Sequence, residues 1–83
     1  MSDQPPLKPL HPDSSLSRPK LALFESFSSD QLLRSLLPGN DHCLKARHDG
    51  TMLDGHHRIY VLRRRGEHVD ALPREIIESD REL

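Results

Sequence analysis

Residues 49–66 constrain the fold more than any other part of the chain, because a turn, a strand and a helix follow one another there without a break. Asp49-Gly50 is a dipeptide typical of tight turns between strands, and Met52-Leu53 supplies the apolar residues of a short strand. Residues 55–65 then place their apolar side chains at helical spacing, and Gly66 suits a left-handed helix end. The sequence therefore predicts a strand that leads directly into a helix.

The length of the chain allows one small domain with a thin core. It has 83 residues, of which 34% are hydrophobic, so part of the chain is expected to lie outside the core. Residues 1–20 hold five prolines and little apolar periodicity, which predicts a flexible Pro/Ser-rich arm; a proline-rich docking peptide is the functional alternative. The domain is predicted over residues 21–77, and an acidic tail over residues 78–83.

A leucine-rich helix is predicted before the turn. Ser28 or Ser29 can cap it, and Pro38-Gly39 ends it. One face of this helix should pack on the core through leucines at helical spacing, which are Leu32, Leu33, Leu36 and Leu37.

Two more strands are predicted, one before the turn and one after the helix at 55–65. Residues 42–47 alternate well enough for a strand, with Cys43 or Leu44 facing the core according to register. Residues 69–77 have the composition of a closing strand. Residues 21–27 fit neither the helical nor the strand period cleanly, so both remain open there.

The start of the predicted helix has features that favour an anion. The first turn of a helix presents free N–H groups and the positive end of the dipole, and Gly55 allows close approach to the backbone. His56, His57 and Arg58 would share that space. The candidate ligand-binding residues are therefore Asp54, Gly55, His56, His57 and Arg58. Spacing alone fits an alternative equally well, in which Asp54 caps the helix and Arg58 pairs with a neighbouring carboxylate.

Other chemistry has less support in the sequence. No metal site is expected, because adjacent helical residues such as His56 and His57 point about 100 degrees apart and no His-x-x-x-His or Cys-x-x-Cys pair is present. Cys43 is the single cysteine and is expected to be a buried, inert thiol. A cytoplasmic protein is predicted, because no disulfide can form within the chain and no apolar run approaches the roughly 20 residues of a membrane span.

A run of three arginines, Arg63, Arg64 and Arg65, lies at the end of the same helix. Such a run could contact the phosphates of DNA or RNA, and binding of that kind would weaken steeply with salt. The formal net charge of the chain is −1, so its overall charge gives no argument for a nucleic-acid partner. A solvated helix face is the alternative.

The residues from Asp49 to Ile59, together with Leu62 to Gly66 and Val69, resemble the ParB N-terminal-like domain, which is related to sulfiredoxin. The likeness covers about residues 28–77. In that family a leucine-rich helix precedes a strand, a turn, a second strand ending in Asp-Gly or similar, a helix with an arginine in its first turn, and a closing strand. A minimal, stand-alone version of the domain is expected.

The resemblance implies a nucleotide-phosphate pocket, because ParB proteins bind CTP with a Gly-x-Arg-Arg box and sulfiredoxins bind ATP with a Gly-Cys-His-Arg box. The corresponding box here is Gly55-His56-His57-Arg58. Arg58 matches the shared arginine and His57 matches the sulfiredoxin histidine, whereas His56 stands where sulfiredoxin has its cysteine.

These observations predict an α+β fold with a short mixed sheet and two main helices, which binds a phosphate-bearing ligand, nucleotide or nucleic acid, at a helix N-terminus. Whether the domain is an enzyme stays open; phosphoryl transfer or phosphate-ester hydrolysis would be the reaction class, with His57 as acid or base and a nucleotide with magnesium as the candidate cofactor. The alternative is a non-catalytic, antitoxin-like regulatory module that docks a protein partner through its proline-rich arm and leucine helix.

Overall fold

A computed structural model describes residues 5–10 and 12–77 of the chain. The predicted acidic tail at residues 78–83 lies outside the described residues. Within the described ranges the α-helices are α1 (Arg18–Glu25), α2 (Ser29–Ser35) and α3 (His56–Arg64), and the strands are β1 (Lys45–Ala46), β2 (Met52–Asp54) and β3 (Glu75–Ile76). Short 3-10 turns occupy Asp13–Ser15 and Val69–Ala71. The predicted α+β class is confirmed.

The segment left open between helix and strand belongs to α1. Ser17 caps this helix, since its hydroxyl accepts a hydrogen bond from the N–H of Lys20, and Pro19 lies in the first turn, where a proline costs no hydrogen bond. The helix ends at Glu25, and Phe24 packs against the core from it. The structure thus has one more helix than the two predicted.

The leucine-rich helix begins where it is predicted to begin, but it ends at Ser35, before the predicted end at Pro38-Gly39. Ser28 caps α2 through a capping box with Gln31, in which each side chain bonds the backbone N–H of the other. Leu32 and Leu36 are each 1% exposed, whereas Leu37 is 45% exposed. The predicted apolar face therefore packs on the core, with its last leucine left outside.

The sheet has the order β2-β1-β3, with β1 antiparallel to β2 and parallel to β3. The strand predicted over 42–47 is shorter than expected, because the N–H of Leu44 donates to the carbonyl of Leu36 at the end of α2, and only the Leu44 carbonyl accepts a hydrogen bond from β3, at Glu75. Cys43 and Leu44 are both fully buried, so the predicted alternation between them is wrong.

The closing strand is also shorter than predicted. Of residues 69–77, the structure places Val69–Ala71 in a 3-10 turn and only Glu75–Ile76 in β3. The backbone turns because the N–H of Leu72 returns to the carbonyl of Val69, and Pro73 has no N–H for a sheet ladder.

One core cluster holds these elements together. It lies between α2, α3 and the sheet and consists of Leu7, Leu32, Leu36, Leu44, Ala46, Met52, Ile59, Val61, Leu62 and Val69. Burial of each such side chain stabilises the fold by about 1.5–3 kcal/mol before the cost of ordering the chain. The cluster fixes the rotation of α3 about its axis, and so the direction of its first turn.

Residues 5–10 differ from the flexible arm that the sequence predicts over residues 1–20. Leu7 is 3% exposed and belongs to the core cluster. Lys8 exchanges backbone hydrogen bonds with Gly50 and Met52 on the edge of β2, at 2.9 and 2.7 Å. Residues 5–10 therefore pack against the domain predicted over residues 21–77, because prolines disfavour a helix but do not prevent an extended segment from packing.

Candidate functional site

A cavity of about 680 Å³ lies where the first turn of α3 faces α1. All five predicted ligand-binding residues contribute to its wall: Asp54, Gly55, His56, His57 and Arg58. The opposite wall is formed by residues that the sequence analysis did not single out, namely Lys20, Leu23, Phe24, Phe27 and Gln31. The volume is within the range of about 300–1,000 Å³ typical of small-molecule sites.

Gly55 begins α3 in a left-handed conformation, with φ of 99°. No side chain in the described part of the chain caps this helix, so Asp54 does not cap it as the predicted alternative requires. The other part of that alternative is observed, because Arg58 lies 3.8 Å from the Asp54 carboxylate. A Cβ at Gly55 would lie 3.2 Å from Leu36 Cδ2 and 3.3 Å from Leu44 Cδ1, which is tighter than ordinary contact. Glycine is therefore needed here both for its dihedral angle and for its small size.

Arg58 is held inside the protein instead of projecting into the cavity as a free cation. Its side chain is 8% exposed, and one terminal nitrogen donates to the Ser35 carbonyl and hydroxyl oxygens at 3.3 and 3.1 Å. The other donates to the His42 carbonyl at 2.6 Å and lies 3.8 Å from Asp54 Oδ1. Burial lowers the pKa of Arg58, and the Asp54 carboxylate opposes that shift. An anion would therefore compete with these oxygens for Arg58.

The two histidines accept hydrogen bonds from backbone groups far away in the sequence. His56 Nε2 accepts from the N–H of Leu10 at 3.1 Å, and His57 Nε2 accepts from the N–H of Ser17 at 2.9 Å. An imidazole nitrogen can accept only when it carries no proton, so the proton of neutral His57 is assigned to Nδ1. Burial lowers the pKa of His57, and the nearby positive charge of Lys20 lowers it further.

The far wall of the cavity combines apolar surface with one cation. Phe24 and Phe27 contact each other edge to face, with ring centroids 6.0 Å apart, and Phe24 lies 6.5 Å from the His57 ring. Lys20 extends from the first turn of α1. The pair Ser17 and Pro19 was the available sequence signal for this wall, since together they mark a helix start.

The three arginines at the end of α3 have partners within the domain. Arg63 lies 3.0 Å from Asp70, and Arg64 lies 3.5 Å from Glu25 and over the Tyr60 ring. Arg65 donates to the carbonyls of Glu25 and Phe27 and to Ser29 Oγ, at 3.0 to 3.1 Å. Glu25 is the last residue of α1, Phe27 lies in the connection between the helices, and Ser29 is the first residue of α2. The run therefore links α3 to neighbouring elements.

Cys43 is a free thiol with no exposed surface, as predicted. Its Sγ lies 3.3 Å from Glu75 Oε1, to which it donates. In residues 5–10 and 12–77 no three His, Cys, Asp or Glu side chains gather closely enough to hold a metal ion. Within the same ranges no helix has the length and apolar character to cross a bilayer.

No family model, no curated protein and no solved structure matches this chain.

Proposed function

We propose that the cavity binds a phosphate-bearing small molecule, with a nucleotide as the ligand class. The observation that carries the proposal is the uncapped first turn of α3, which forms part of the wall of a cavity large enough for a mononucleotide. The backbone N–H groups of a helix's first turn point toward such a ligand, and the positive dipole end of the helix stabilises an anion. Lys20, on the facing wall, adds a positive charge.

The two walls of the cavity suit the two parts of a nucleotide, the phosphate and the base. Arg58 holds the first turn of α3 against α2 and adds positive potential from behind that turn. Phe24 and Phe27 form an apolar wall on which a planar base could pack. In this proposal Gly55, His56 and His57 contact phosphate through backbone N–H groups, and Asp54 keeps Arg58 and Lys45 in place.

Catalysis is not needed for this function. If the bound nucleotide reacts, phosphoryl transfer or phosphate-ester hydrolysis is the class that an anion-stabilising helix start supports, with His57 as the acid or base. His57 would first have to release the N–H of Ser17 from its Nε2. Magnesium would then bind together with the nucleotide, because Mg²⁺ is usually held by substrate phosphates and only one or two protein carboxylates.

We also propose that the domain is of the ParB and sulfiredoxin type. The order α2, β1, β2, α3 and β3, with Gly55 before α3 and Arg58 in its first turn, is the order that the resemblance implies, and it supports the proposal. The cytoplasm is the proposed compartment, on the ground that Cys43 is a free thiol.

The alternatives have less support. Docking of a protein partner through the leucine helix would need an exposed leucine face, but Leu32 and Leu36 face the core. Nucleic-acid binding through Arg63 to Arg65 would have to compete with the internal partners of those side chains.

The test is a nitrogen–proton NMR titration of the full chain with ATP, CTP, GTP and inorganic phosphate, with and without magnesium. Saturable shifts at the amides of residues 55–58 are expected for one nucleotide. Lys20→Ala should weaken that binding about tenfold, the effect of losing roughly 1.4 kcal/mol of charge-assisted contact. Lys8→Ala, which removes an exposed lysine outside the cavity wall, should bind as the wild type does. No shift with any of the four ligands would refute the proposal.

A further inference from the structure

Residues 5–10 lie in an extended conformation against the domain, and the domain contacts their backbone. Arg74, Asp70, Gly50, Met52 and His56 supply the partners. The bonds are Arg74 Nη1 to the Pro5 carbonyl at 2.9 Å, the Leu7 N–H to Asp70 Oδ1 at 2.9 Å, the Lys8 N–H to the Gly50 carbonyl at 2.9 Å, the Met52 N–H to the Lys8 carbonyl at 2.7 Å, and the Leu10 N–H to His56 Nε2 at 3.1 Å.

One side chain of residues 5–10 enters the core. Leu7 is 3% exposed, whereas Leu10 is 42% exposed and Lys8 and Pro9 are also exposed. The other members of the core cluster come from α2, β1, β2, α3 and Val69. If this segment left its position, the core would lose Leu7, and the other side chains of the core cluster would still contact one another.

The positions of the prolines match the backbone contacts. The N–H groups used by the domain belong to Leu7, Lys8 and Leu10. The prolines at positions 5, 6 and 9 have no N–H to offer, and these are positions at which the domain uses none. A proline-rich peptide loses less entropy on binding, because it is already extended.

Gly50 allows the segment to approach closely. It has φ of 96°, and a Cβ built on it would overlap the carbonyl oxygen of Pro6. Contacts to the backbone, one leucine pocket and a glycine at the closest approach together define a groove that recognises an extended chain, as in peptides that add a strand to a sheet edge.

We propose that this groove is a peptide-docking site, which residues 5–10 occupy within the chain and which an extended, leucine-containing, proline-flanked peptide of a partner protein occupies in their place. The segment from residues 5–10 acts as an internal competitor. When the partner peptide replaces residues 5–10, it adds a strand to the edge of β2, at the position where Lys8 pairs with Thr51. This site is separate from the α3 cavity proposed for a nucleotide, and neither proposal depends on the other.

The test uses the full chain and a fluorescent synthetic peptide with the sequence of residues 5–12, with binding followed by anisotropy. Leu7→Ala weakens the internal competitor, so this variant should bind the peptide at least tenfold more tightly than the wild type does. A peptide carrying Lys8→Pro should fail to bind, because the N–H that Gly50 accepts is lost. A peptide carrying Pro9→Ala should bind within a few-fold of the original.

Two glycine variants provide a matched control in the Leu7→Ala background. Gly50→Ala should abolish peptide binding, because its methyl group blocks the path of the Pro6 carbonyl. Gly39→Ala imposes similar backbone strain, at φ of 102°, but its Cβ would meet no atom of the described residues within 4 Å, so binding should persist. Equal loss in both double variants would overturn the proposal.

The wild type gives an independent readout if Leu7→Ala does not fold. Millimolar unlabelled peptide should shift the amide signals of Leu7, Lys8 and Met52 in the labelled chain and accelerate hydrogen exchange at Leu7. Unchanged signals at these residues would overturn the proposal. A strand-exchanged dimer of the wild type that excess peptide cannot dissociate would also overturn it, because the occupant would then be a second copy of the chain.

Discussion

The guanidinium of Arg58 donates a 2.6 Å hydrogen bond to the carbonyl oxygen of His42, in the loop that joins α2 to β1. Its second terminal nitrogen donates to Ser35, the last residue of α2. One side chain of the first turn of α3 thus satisfies backbone oxygens at both ends of that loop. Arg58 consequently sets the distance between α2 and the start of α3, and with it the shape of the cavity wall.

Replacement of Arg58 should therefore affect stability as well as ligand binding. Arg58→Met keeps an unbranched apolar stem but leaves the Ser35 and His42 oxygens without their donor, and it should lower the free energy of unfolding by about 3 kcal/mol. Urea denaturation followed by circular dichroism measures the change. Arg34→Met is the control, since Arg34 is 77% exposed and pairs with Asp30 on the surface, where loss of the pair costs about 0–1 kcal/mol. Similar losses in both variants would contradict the structural role of Arg58.

The elements around Arg58 show which parts of this fold the sequence can predict. The start of α2 and both bounds of α3 follow from local chemistry, because Ser28 caps one helix and Gly55 and Gly66 flank the other. The acceptors of Arg58 could not be predicted in the same way. Two of the three are backbone oxygens, at Ser35 and His42, and any residue type at position 42 would present the same carbonyl.

The cavity, too, could be predicted only where its residues are neighbours in sequence. Its α3 wall was predicted as a set of five neighbours in sequence, and the structure brings all five to one wall. The α1 wall depends on a tertiary contact between two helices about forty residues apart, as between Ser17 and His57. The packing of residues 5–10 was missed because a proline-rich composition excludes helix and sheet interior but gives no information about a single leucine pocket.

Gly55 should tolerate substitution less well than Gly66 does. Both have positive φ, 99° and 87°, so alanine at either position costs about 1–2 kcal/mol of backbone strain. Gly55→Ala also presses a methyl group against Leu36 and Leu44, and such overpacking adds about 1–3 kcal/mol. Thermal unfolding of the two variants should therefore give a clearly lower midpoint for Gly55→Ala. Equal midpoints would contradict this prediction, because they would mean that Leu36 and Leu44 shift to make room for the methyl group without loss of stability.

The arginines at the end of α3 should contribute unequally to stability. Arg65→Ala removes donors to Ser29 and to the carbonyls of Glu25 and Phe27, and it should cost about 1–2 kcal/mol. Arg64→Ala removes an exposed ion pair with Glu25 and should cost less than about 1 kcal/mol. Urea unfolding of the two variants tests the difference, and the reverse order would contradict the linking role of Arg65.

His57 should make stability depend on pH below neutrality. Its pKa in the folded protein is lowered from the ordinary value of 6.5, by burial first and by the charge of Lys20 second. The folded state therefore binds fewer protons at His57 than the unfolded state does in this range. The stabilisation is fully present above pH 6.5 and is lost as the pH falls below 6.5 through the folded pKa. Protonation also removes the acceptor for the Ser17 N–H, because Nε2 then carries a proton.

The groups that face His57 define the variants for this test. Lys20 and the Phe24 ring approach from α1, and Arg58 is its neighbour on α3. His57→Gln retains an acceptor in a similar place and cannot titrate, so the free energy of unfolding should fall less between pH 7.5 and acid than in the wild type. Lys20→Met should bring the NMR titration midpoint of the His57 ring closer to its ordinary value, because one of the two causes of the shift is removed. A wild-type midpoint at or above 6.5 would contradict the neutral, hydrogen-bonded state of His57 that the Ser17 contact requires.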